Sequence, residues 1–496
     1  YLRRTCSAGW IIDASPEGHQ PEVATRLFPG VQQPLAVGIF LREPGASPDE
    51  PAELRYTALS GRRAVKHGQL RGLSLDGAAW RDVRTGWQAP FTPAADGAWD
   101  EYPALDDVFP WTVPGVKPNR TWVYAPTRGI LAERWRTLVA EPDLERKREL
   151  FKETRDRKID REVPQLPGQP ALSRAIGAER GAPPQPTRVA YRSFDRQWLM
   201  ADHRLLDQAR PPLWSAYSTP GQVFISEQHA HAFDSGPALV TTHLPVDMDH
   251  FNGRGGRVLP LFRPDGTPNL APGLLTALNE ALDAEVQPED VAAYVLGVVA
   301  HPGYTRRFTD ELTTPGVRVA VTSDAALWQR AVELGRAVGW ASTYGERFVD
   351  GAAGRPRADV RYPAGDARRV TAGTAVQGMP NEIGHDPASE TLHVGTGGFG
   401  PVPEAVWRYD VGGMNVVAKW FGYRKANPAG RRSSPLDDIH VTEWPSEWTS
   451  ELNDLLSVLR RLVELEDAQA ALLDEIVSGP LLPLSALTSD GTLPGT

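Results

Sequence analysis

Two segments pair arginines with residues that allow a close approach to phosphate groups. Arg254 and Arg257 lie in the glycine-rich segment HFNGRGGRVLPLF (250–262), and Arg306 and Arg307 follow a predicted helix end in AHPGYTRRF. Glycine lets the backbone come close to a ligand, and arginine can bind phosphate or the edge of guanine. We predict phosphate contacts from Arg254 and Arg257, and Arg306 and Arg307 are further candidate contacts. A plain hairpin turn explains the glycines of the first segment almost as well.

Two further segments mix cations with aromatic rings. YRSFDRQWLMAD (191–202) contains Arg192 and Arg196, and VWRYDVGGMNVVAKWFGYRK ends in Arg424 and Lys425. Surfaces that bind nucleic acid often combine these residue types. Pairing of arginine with aspartate around a buried tryptophan would instead stabilise a domain junction. For the first segment, this structural interpretation is at least as good as a role in binding.

A local excess of basic residues also favours a nucleic-acid partner. Between Lys117 and Arg161 the sequence has thirteen Lys or Arg residues against eight Asp or Glu. The net charge of the whole chain is −9, but affinity for phosphates depends on local basic surface rather than on the total charge. We therefore predict DNA contacts from this region, with Lys117 and Arg120 among them.

Histidines and acids between 229 and 250 raise the alternative of a metal-dependent hydrolase. His229 and His231 are followed by His243, Asp247 and His250. Zinc pairs usually have helical i,i+4 spacing or a C-x-x-C pattern with a further ligand, and the i,i+2 pair here lacks both. We predict no metal site. The single cysteine, Cys6, excludes an internal disulfide and a multi-cysteine zinc site.

The segment VGTGGFG (394–400) resembles a nucleotide-binding loop only in its glycines. Such a fingerprint follows the first strand of a Rossmann-like unit and opens a helix, whereas Pro401 and Pro403 follow here. We interpret these residues as turn glycines. The sequence also contains no G-x-x-x-x-G-K-[ST] and no G-x-S-x-G pattern.

The bulk properties are those of a globular protein of several domains. The chain has 496 residues, of which 41% are hydrophobic and 23% charged, which predicts two to four domains. Apolar runs stay below the roughly 18 residues that span a bilayer, and the first residues do not form a signal peptide. These observations predict a cytoplasmic location. Because the first residue is Tyr1, we expect a piece of a longer reading frame.

Apolar periodicity predicts alternating strands and helices. Short apolar runs predict buried strands at 10–14 and 35–41, with another at 55–59. Residues 350–372 are poor in hydrophobics and predict a surface loop. Helices are predicted over 130–161, over 288–301, after an N-cap at Ser323, and over 447–478.

Three sequence segments, in the order in which they occur, resemble the C-terminal half of large adenine-specific DNA methyltransferases, most closely the type ISP restriction-modification enzymes. They are TRLFPGVQQPLAVGIFLR (25–42), YRSFDRQWLMAD and VWRYDVGGMNVVAKWFGYRK. Ser193 and Phe421 depart from the family pattern, which has proline and leucine there. The resemblance implies that Phe28 stacks on an adenine flipped out of the duplex. A core aromatic that precedes a strand is the alternative for Phe28.

The resemblance implies a mixed α/β fold and a function in reading duplex DNA. The methyl-donor loop and the NPPY-type catalytic motif of the family lie upstream of this stretch, so we expect S-adenosylmethionine in the full enzyme and no cofactor in this chain. Expected partners are duplex DNA and the upstream methyltransferase portion, with the nuclease and motor portions of type ISP enzymes. A separate specificity subunit that acts with another catalytic protein is the main alternative.

The implied domains follow the family order. They are a remnant of a Rossmann-like methyltransferase sheet (1–60), a connector with charged helices (61–163), a linker (164–187), an α/β target-recognition domain (188–445), a C-terminal helix (446–479) and a tail (480–496).

Overall fold

The computed structural model has a mixed α/β fold, as predicted, and divides into two compact units, Tyr1–Glu101 and Tyr102–Thr496. We describe each unit by itself. The structure describes residues 1–16, 25–31, 33–44, 50–84, 87, 91–93, 97–171, 174–228, 235–251, 256–313, 316–428 and 432–487.

The first unit is built on a four-stranded sheet with the order β2-β1-β3-β4. The strands β1 and β3 are parallel, and β2 and β4 pair antiparallel with their neighbours. The strands are β1 (Ala8–Asp13), β2 (Ala36–Leu41), β3 (Glu53–Ala58) and β4 (Arg81–Asp82), and the helices are α1 (Leu2–Thr5) and α2 (Arg63–Gly72). The three strands predicted in this part of the sequence are therefore confirmed.

The prediction that both of the first two strands are buried is wrong for β2. In β1, Ile11 and Ile12 are buried, whereas Val37, Ile39 and Leu41 of β2 are 40–44% exposed. The reason is topological. β2 is an edge strand of this sheet, and burial of an edge strand needs a further layer over its face, which sequence alone does not reveal.

The second unit contains four small sheets. Their strand orders are β6-β8-β7, β10-β9-β11-β5, β12-β15-β14-β13 and β16-β17. The strands are β5 (Val113–Pro114), β6 (Tyr124–Ala125), β7 (Pro186–Arg192), β8 (Asp195–Met200), β9 (Phe224–Glu227), β10 (Leu239–Thr242), β11 (Arg257–Pro260), β12 (Thr371–Thr374), β13 (Ile383–Asp386), β14 (Thr391–Val394), β15 (Gly397–Gly400), β16 (Asp410–Val411) and β17 (Met414–Asn415).

Helices cover and connect these sheets. They are α3 (Leu105–Val108), α4 (Arg128–Ala140), α5 (Leu144–Phe151), α6 (Pro211–Tyr217), α7 (Leu274–Leu282), α8 (Pro288–Val299), α9 (Pro302–Arg307), α10 (Ala325–Ser342), α11 (Glu404–Trp407), α12 (Val416–Gly422), α13 (Ser446–Ser478) and α14 (Leu484–Leu487). None of the helices in the described ranges is long and apolar enough to cross a membrane.

The predicted helices are largely confirmed, with two corrections. α8 and α13 match their predicted spans, and Pro288 occupies the first turn of α8 as expected. The N-cap of α10 is Asp324 rather than Ser323, because the Asp324 carboxylate accepts hydrogen bonds from the backbone N–H groups of Ala326 and Leu327. The helix predicted over 130–161 is two helices, α4 and α5.

The segment 164–187, predicted as a linker between domains, lies within one compact unit. Leu166 and Ile176 are buried in the same hydrophobic core as Trp135 and Leu199, which come from either side of the segment. Its proline and glycine content reflects an irregular path over this core. The division between the two compact units falls at residues 101–102 instead.

The helices α8 and α10 touch through their backbones. A Cβ on Gly335 would lie 1.6 Å from the carbonyl oxygen of Ala293, and one on Gly297 would lie 2.2 Å from that of Ala331. Next to this crossing, the rings of Tyr294 and Trp328 stack with centroids 4.2 Å apart. Glycine is thus required where the two helices cross.

Buried histidines make the stability of the second unit depend on pH. Burial lowers the pKa of His250 to about 3 and that of His301 to about 4, below the ordinary value near 6.5. In the unfolded chain these rings bind protons below about pH 6.5, whereas in the fold they do not. The contribution of these rings to the free energy of unfolding is therefore complete above pH 6.5 and declines as the pH falls towards 4. At pH 5 the free energy of unfolding is lower by about 2 kcal/mol for each ring.

We expect His301→Gln to be less sensitive to acid than the wild-type protein. Nε2 of His301 donates to the carbonyl oxygen of Val298 at 3.0 Å, and the glutamine amide can keep that hydrogen bond without a titrating ring. Urea denaturation at pH 5 and pH 8 measures the effect. An equal loss of stability in the variant and the wild type would show that His301 does not carry this dependence.

Candidate nucleic-acid interface

A cleft of about 270 Å³ lies between the hairpin β7–β8, the start of α4, the end of α12 and the first turn of α13. We call it the aromatic cleft. It brings together three of the arginines and lysines that were predicted from separate motifs as DNA contacts, namely Arg192, Arg424 and Lys425. The motifs YRSFDRQWLMAD and VWRYDVGGMNVVAKWFGYRK, more than 200 residues apart, thus meet at one site.

Three tyrosines form one wall of the aromatic cleft. The ring of Tyr191 lies 4.7 Å from that of Tyr124 and 5.1 Å from that of Tyr423, measured between centroids. The guanidinium of Arg192 lies 4.0 Å from the centre of the Tyr191 ring, and Lys419 Nζ lies 5.4 Å from the centre of the Tyr423 ring. The wall therefore combines flat aromatic faces with positive charge.

Arg192 is held in place by a buried carboxylate. Its Nη1 donates to Asp247 Oδ1 at 2.7 Å, and the Tyr124 hydroxyl donates to Asp247 Oδ2 at 2.5 Å. Asp247 reaches this position because its backbone N–H donates to the carbonyl oxygen of Ala190 in β7. Burial raises the pKa of Asp247, and the positive charge of Arg192 opposes that rise. The sequence grouped Asp247 with histidines, but its partners are a tyrosine and an arginine.

Arg424 joins the two motifs through a buried ion pair. Its Nη2 donates to Asp195 Oδ1 at 2.8 Å and lies 3.5 Å from Glu451 Oε2 of α13. Its guanidinium also stacks on the ring of Trp420 at 4.0 Å. The side chain of Arg424 has no exposed surface. Arg424 therefore fixes the hairpin against α12 and α13, and its burial removes it from the surface that a phosphate could reach.

Among the described residues, Lys425 and Arg432 are the accessible cations at the rim of the aromatic cleft. Lys425 is half-buried, and within the described residues it forms no ion pair. Arg432 is exposed and pairs with Asp438, which is also exposed. Because their charges face solvent, both residues can meet a phosphate group. Arg432 was missed by the sequence analysis, since no motif marked it.

The basic excess between Lys117 and Arg161 is partly internal. Arg120, Arg134 and Lys147 are buried. Arg120 donates to Asp207 Oδ1 at 2.6 Å and stacks on Phe151, while Arg134 donates to the backbone carbonyls of Trp122 and Tyr124. Arg120, predicted as a DNA contact, is therefore a buried residue that pairs within the core. Lys117 is half-buried and lies outside the lining of the aromatic cleft.

The remaining predicted contacts lie elsewhere in the second unit. Arg257 pairs with Asp106 and with the buried Glu227, and Arg307 pairs with Asp474 of α13. Arg196 stacks on the ring of Tyr344 at 3.4 Å. Arg306 is exposed and lines a separate cavity. Whether these side chains contact DNA stays a prediction.

Some predicted residues lie outside the described ranges. These are Arg254, His229 and His231. In the ranges that the structure does describe, no group of three or more His, Cys, Asp or Glu side chains is arranged to hold a metal ion.

Phe28 belongs to the first unit and is 56% exposed. The interpretation of Phe28 as a buried core aromatic is therefore wrong for this chain. Its predicted stacking on a flipped adenine stays a prediction.

Two glycine turns behave as predicted. Gly395, with φ of +54°, makes the turn of the hairpin β14–β15, whereas Gly397, Gly398 and Gly400 lie in β15, so the prediction of turn glycines is confirmed only for Gly395. Gly412 and Gly413, with φ of +57° and +79°, form the turn between β16 and β17, directly before α12. This backbone conformation favours glycine over other residues.

Three solved structures with a similar fold are of longer chains. The chain superposes with a TM-score of 0.55 and 17% identity on a nuclease-deletion mutant of the type ISP restriction-modification enzyme LlaGI, solved in complex with a DNA substrate mimic. For a DrdV–DNA complex the TM-score is 0.56 and the sequence identity 16%. For the ATP-dependent type ISP enzyme LlaBIII bound to DNA, the TM-score is 0.56 and the identity 14%. Each comparison covers 96% of this chain but only 37%, 48% and 31% of those proteins, respectively.

A search of curated proteins gave no match. The family model described as the type ISP C-terminal specificity domain matches residues 107–455, which is about 70% of the chain. The matched residues include the aromatic cleft and both of the motifs that form it. The chain therefore belongs to the type ISP C-terminal specificity domain family.

Proposed function

We propose that this chain is the DNA-reading portion of a type ISP restriction-modification enzyme and that it binds duplex DNA with the surface around the aromatic cleft. The observation that carries the proposal is the meeting of the two motifs at that cleft, within the part of the chain that matches the specificity domain. Exposed cations at its rim supply attraction to phosphates, and its aromatic faces suit contact with bases.

The solved relatives support this proposal. All three were determined with DNA or a DNA mimic, and this chain has their fold over nearly its whole length. The acidic net charge of −9 is compatible with DNA binding, because the basic residues at the rim act locally.

We further propose that the full enzyme transfers a methyl group from S-adenosylmethionine to adenine N6. In that enzyme, Phe28 would stack on the flipped adenine, and its exposed ring in this chain leaves a face free for a base. The methyl donor and the catalytic motif are assigned to the upstream portion, as the family resemblance implies, and no residue of this chain is assigned to the donor.

The double variant Lys425→Gln with Arg432→Gln should weaken duplex binding for all sequences alike. Each lost phosphate contact lowers the slope of log affinity against log salt concentration by about 0.9, so we expect a change of about 1.8. Fluorescence anisotropy with a labelled duplex of mixed sequence, titrated at several salt concentrations, measures this slope.

The matched control is Arg330→Gln with Arg357→Gln, which removes the same charge from exposed positions away from the aromatic cleft. We expect this control to keep nearly the wild-type slope. If both double variants change the slope equally, binding responds to total charge and not to this surface. If the wild-type chain does not bind duplex DNA, the proposed function is wrong.

A further inference from the structure

Two buried N–H groups beside the aromatic cleft lack acceptors. Within the described residues, neither Trp448 Nε1 nor Arg424 Nε has an acceptor at hydrogen-bond distance, although each residue is only 1% exposed. Both residues line the cleft. Buried donors are almost always satisfied in folded proteins, by protein atoms, ordered water or a ligand. A ligand with acceptor atoms would satisfy these two.

The shape and lining of the cleft suit a flat heteroaromatic ring. Its volume of about 270 Å³ lies just below the roughly 300–1,000 Å³ of sites that enclose drug-sized ligands. Tyr191 and Tyr423 line the cleft as an edge-to-face pair, with the guanidinium of Arg192 over the Tyr191 ring, and Met379 and Val441 offer apolar contacts. A nucleobase has ring nitrogens or carbonyl oxygens that accept hydrogen bonds, together with a face for stacking.

The rim of the cleft carries the charge that a nucleotide would need. Lys425 and Arg432 both line the opening, and their positive charges suit a phosphate of the strand that carries the base. Asp437 also lines the cleft, but its Oδ2 already accepts hydrogen bonds from Thr121 and from the backbone N–H of Ser433.

We propose that the aromatic cleft captures one unstacked nucleobase of DNA, with a phosphate of the same strand at Lys425 and Arg432. This capture rests on the proposed DNA binding. The proposed site lies wholly in the second unit, whereas Phe28 belongs to the first unit. The base would accept a hydrogen bond from Trp448 Nε1 and lie against the tyrosine wall.

Three duplexes of one sequence test the capture. The first is fully paired, the second has a single bulged nucleotide, and the third has a bulged abasic site. A bulged base is already freed from pairing, so it enters a cavity at lower cost than a paired base. We expect the bulged nucleotide to bind about tenfold more tightly than the abasic bulge. The abasic duplex controls for the greater flexibility of bulged DNA.

Val441→Trp should fill the cleft and abolish the preference for the bulged nucleotide over the abasic bulge. Val441 is half-buried, so the larger ring has room to adjust. The matched control is Val349→Trp, an exposed position that lines a different cavity. This control should keep the tenfold preference.

The possible outcomes separate the two proposals. Binding of the paired duplex without any preference for the bulged base overturns the capture and leaves the proposed function standing. A preference that survives in Val441→Trp likewise overturns the capture, because the base then binds elsewhere. If the wild type binds none of the three duplexes, both proposals are wrong.

Discussion

Gly335→Ala is expected to destabilise the second unit by about 3 kcal/mol or more. The added Cβ would lie 1.6 Å from the carbonyl oxygen of Ala293 and 2.5 Å from its carbonyl carbon, both of which are backbone atoms of α8. Backbone cannot rotate away as a flexible side chain can, so α8 and α10 must separate and lose the packing between them. Gly297→Ala, with its contact at 2.2 Å, should act in the same direction.

The matched control for this prediction is Gly129→Ala in α4, where an added Cβ meets no atom within 4 Å. Alanine has the higher helix propensity, so this change should be neutral or stabilising by up to about 1 kcal/mol. Urea denaturation of the three variants and the wild-type protein gives their free energies of unfolding. Wild-type stability in Gly335→Ala would show that the two helices can move apart at little cost.

Arg424→Met is expected to cost about 3–5 kcal/mol of stability. The change leaves the buried carboxylate of Asp195 without its 2.8 Å partner and removes the contact with Glu451. A charge that stays buried without a partner is strongly destabilising. The methionine keeps much of the apolar contact with Trp420, so the loss reports mainly on the charge.

The double variant Arg424→Met with Asp195→Asn tests this explanation. Because it removes both charges, it should be more stable than the sum of the two single effects predicts, as a double-mutant cycle measures. Arg330→Met serves as the control, since it breaks a solvent-exposed pair with Glu475 and should change the stability little. Strict additivity of the two buried changes would mean that the ion pair does not couple these residues.

The sequence determined much of this protein by local rules. Periodicity and turn chemistry depend on neighbours within a few residues, so they can be read from local sequence. They predicted the helix start at Pro288, the turn at glycines 412–413 and the apolar stripe of α13. The order of the three motifs indicated the family, because each motif is recognised from residues that are adjacent in the sequence. The mixed α/β fold followed from the same patterns.

Only the tertiary structure decided which charged residues are available to a ligand. DNA contacts were predicted from both Arg120 and Lys425, yet Arg120 is buried against Asp207 and Phe151, whereas Lys425 lies at the rim of a cleft. The pairing of Arg192 with Asp247 and that of Arg424 with Asp195 join residues 55 and 229 positions apart. Burial and ion pairing depend on such distant partners, which local sequence does not contain.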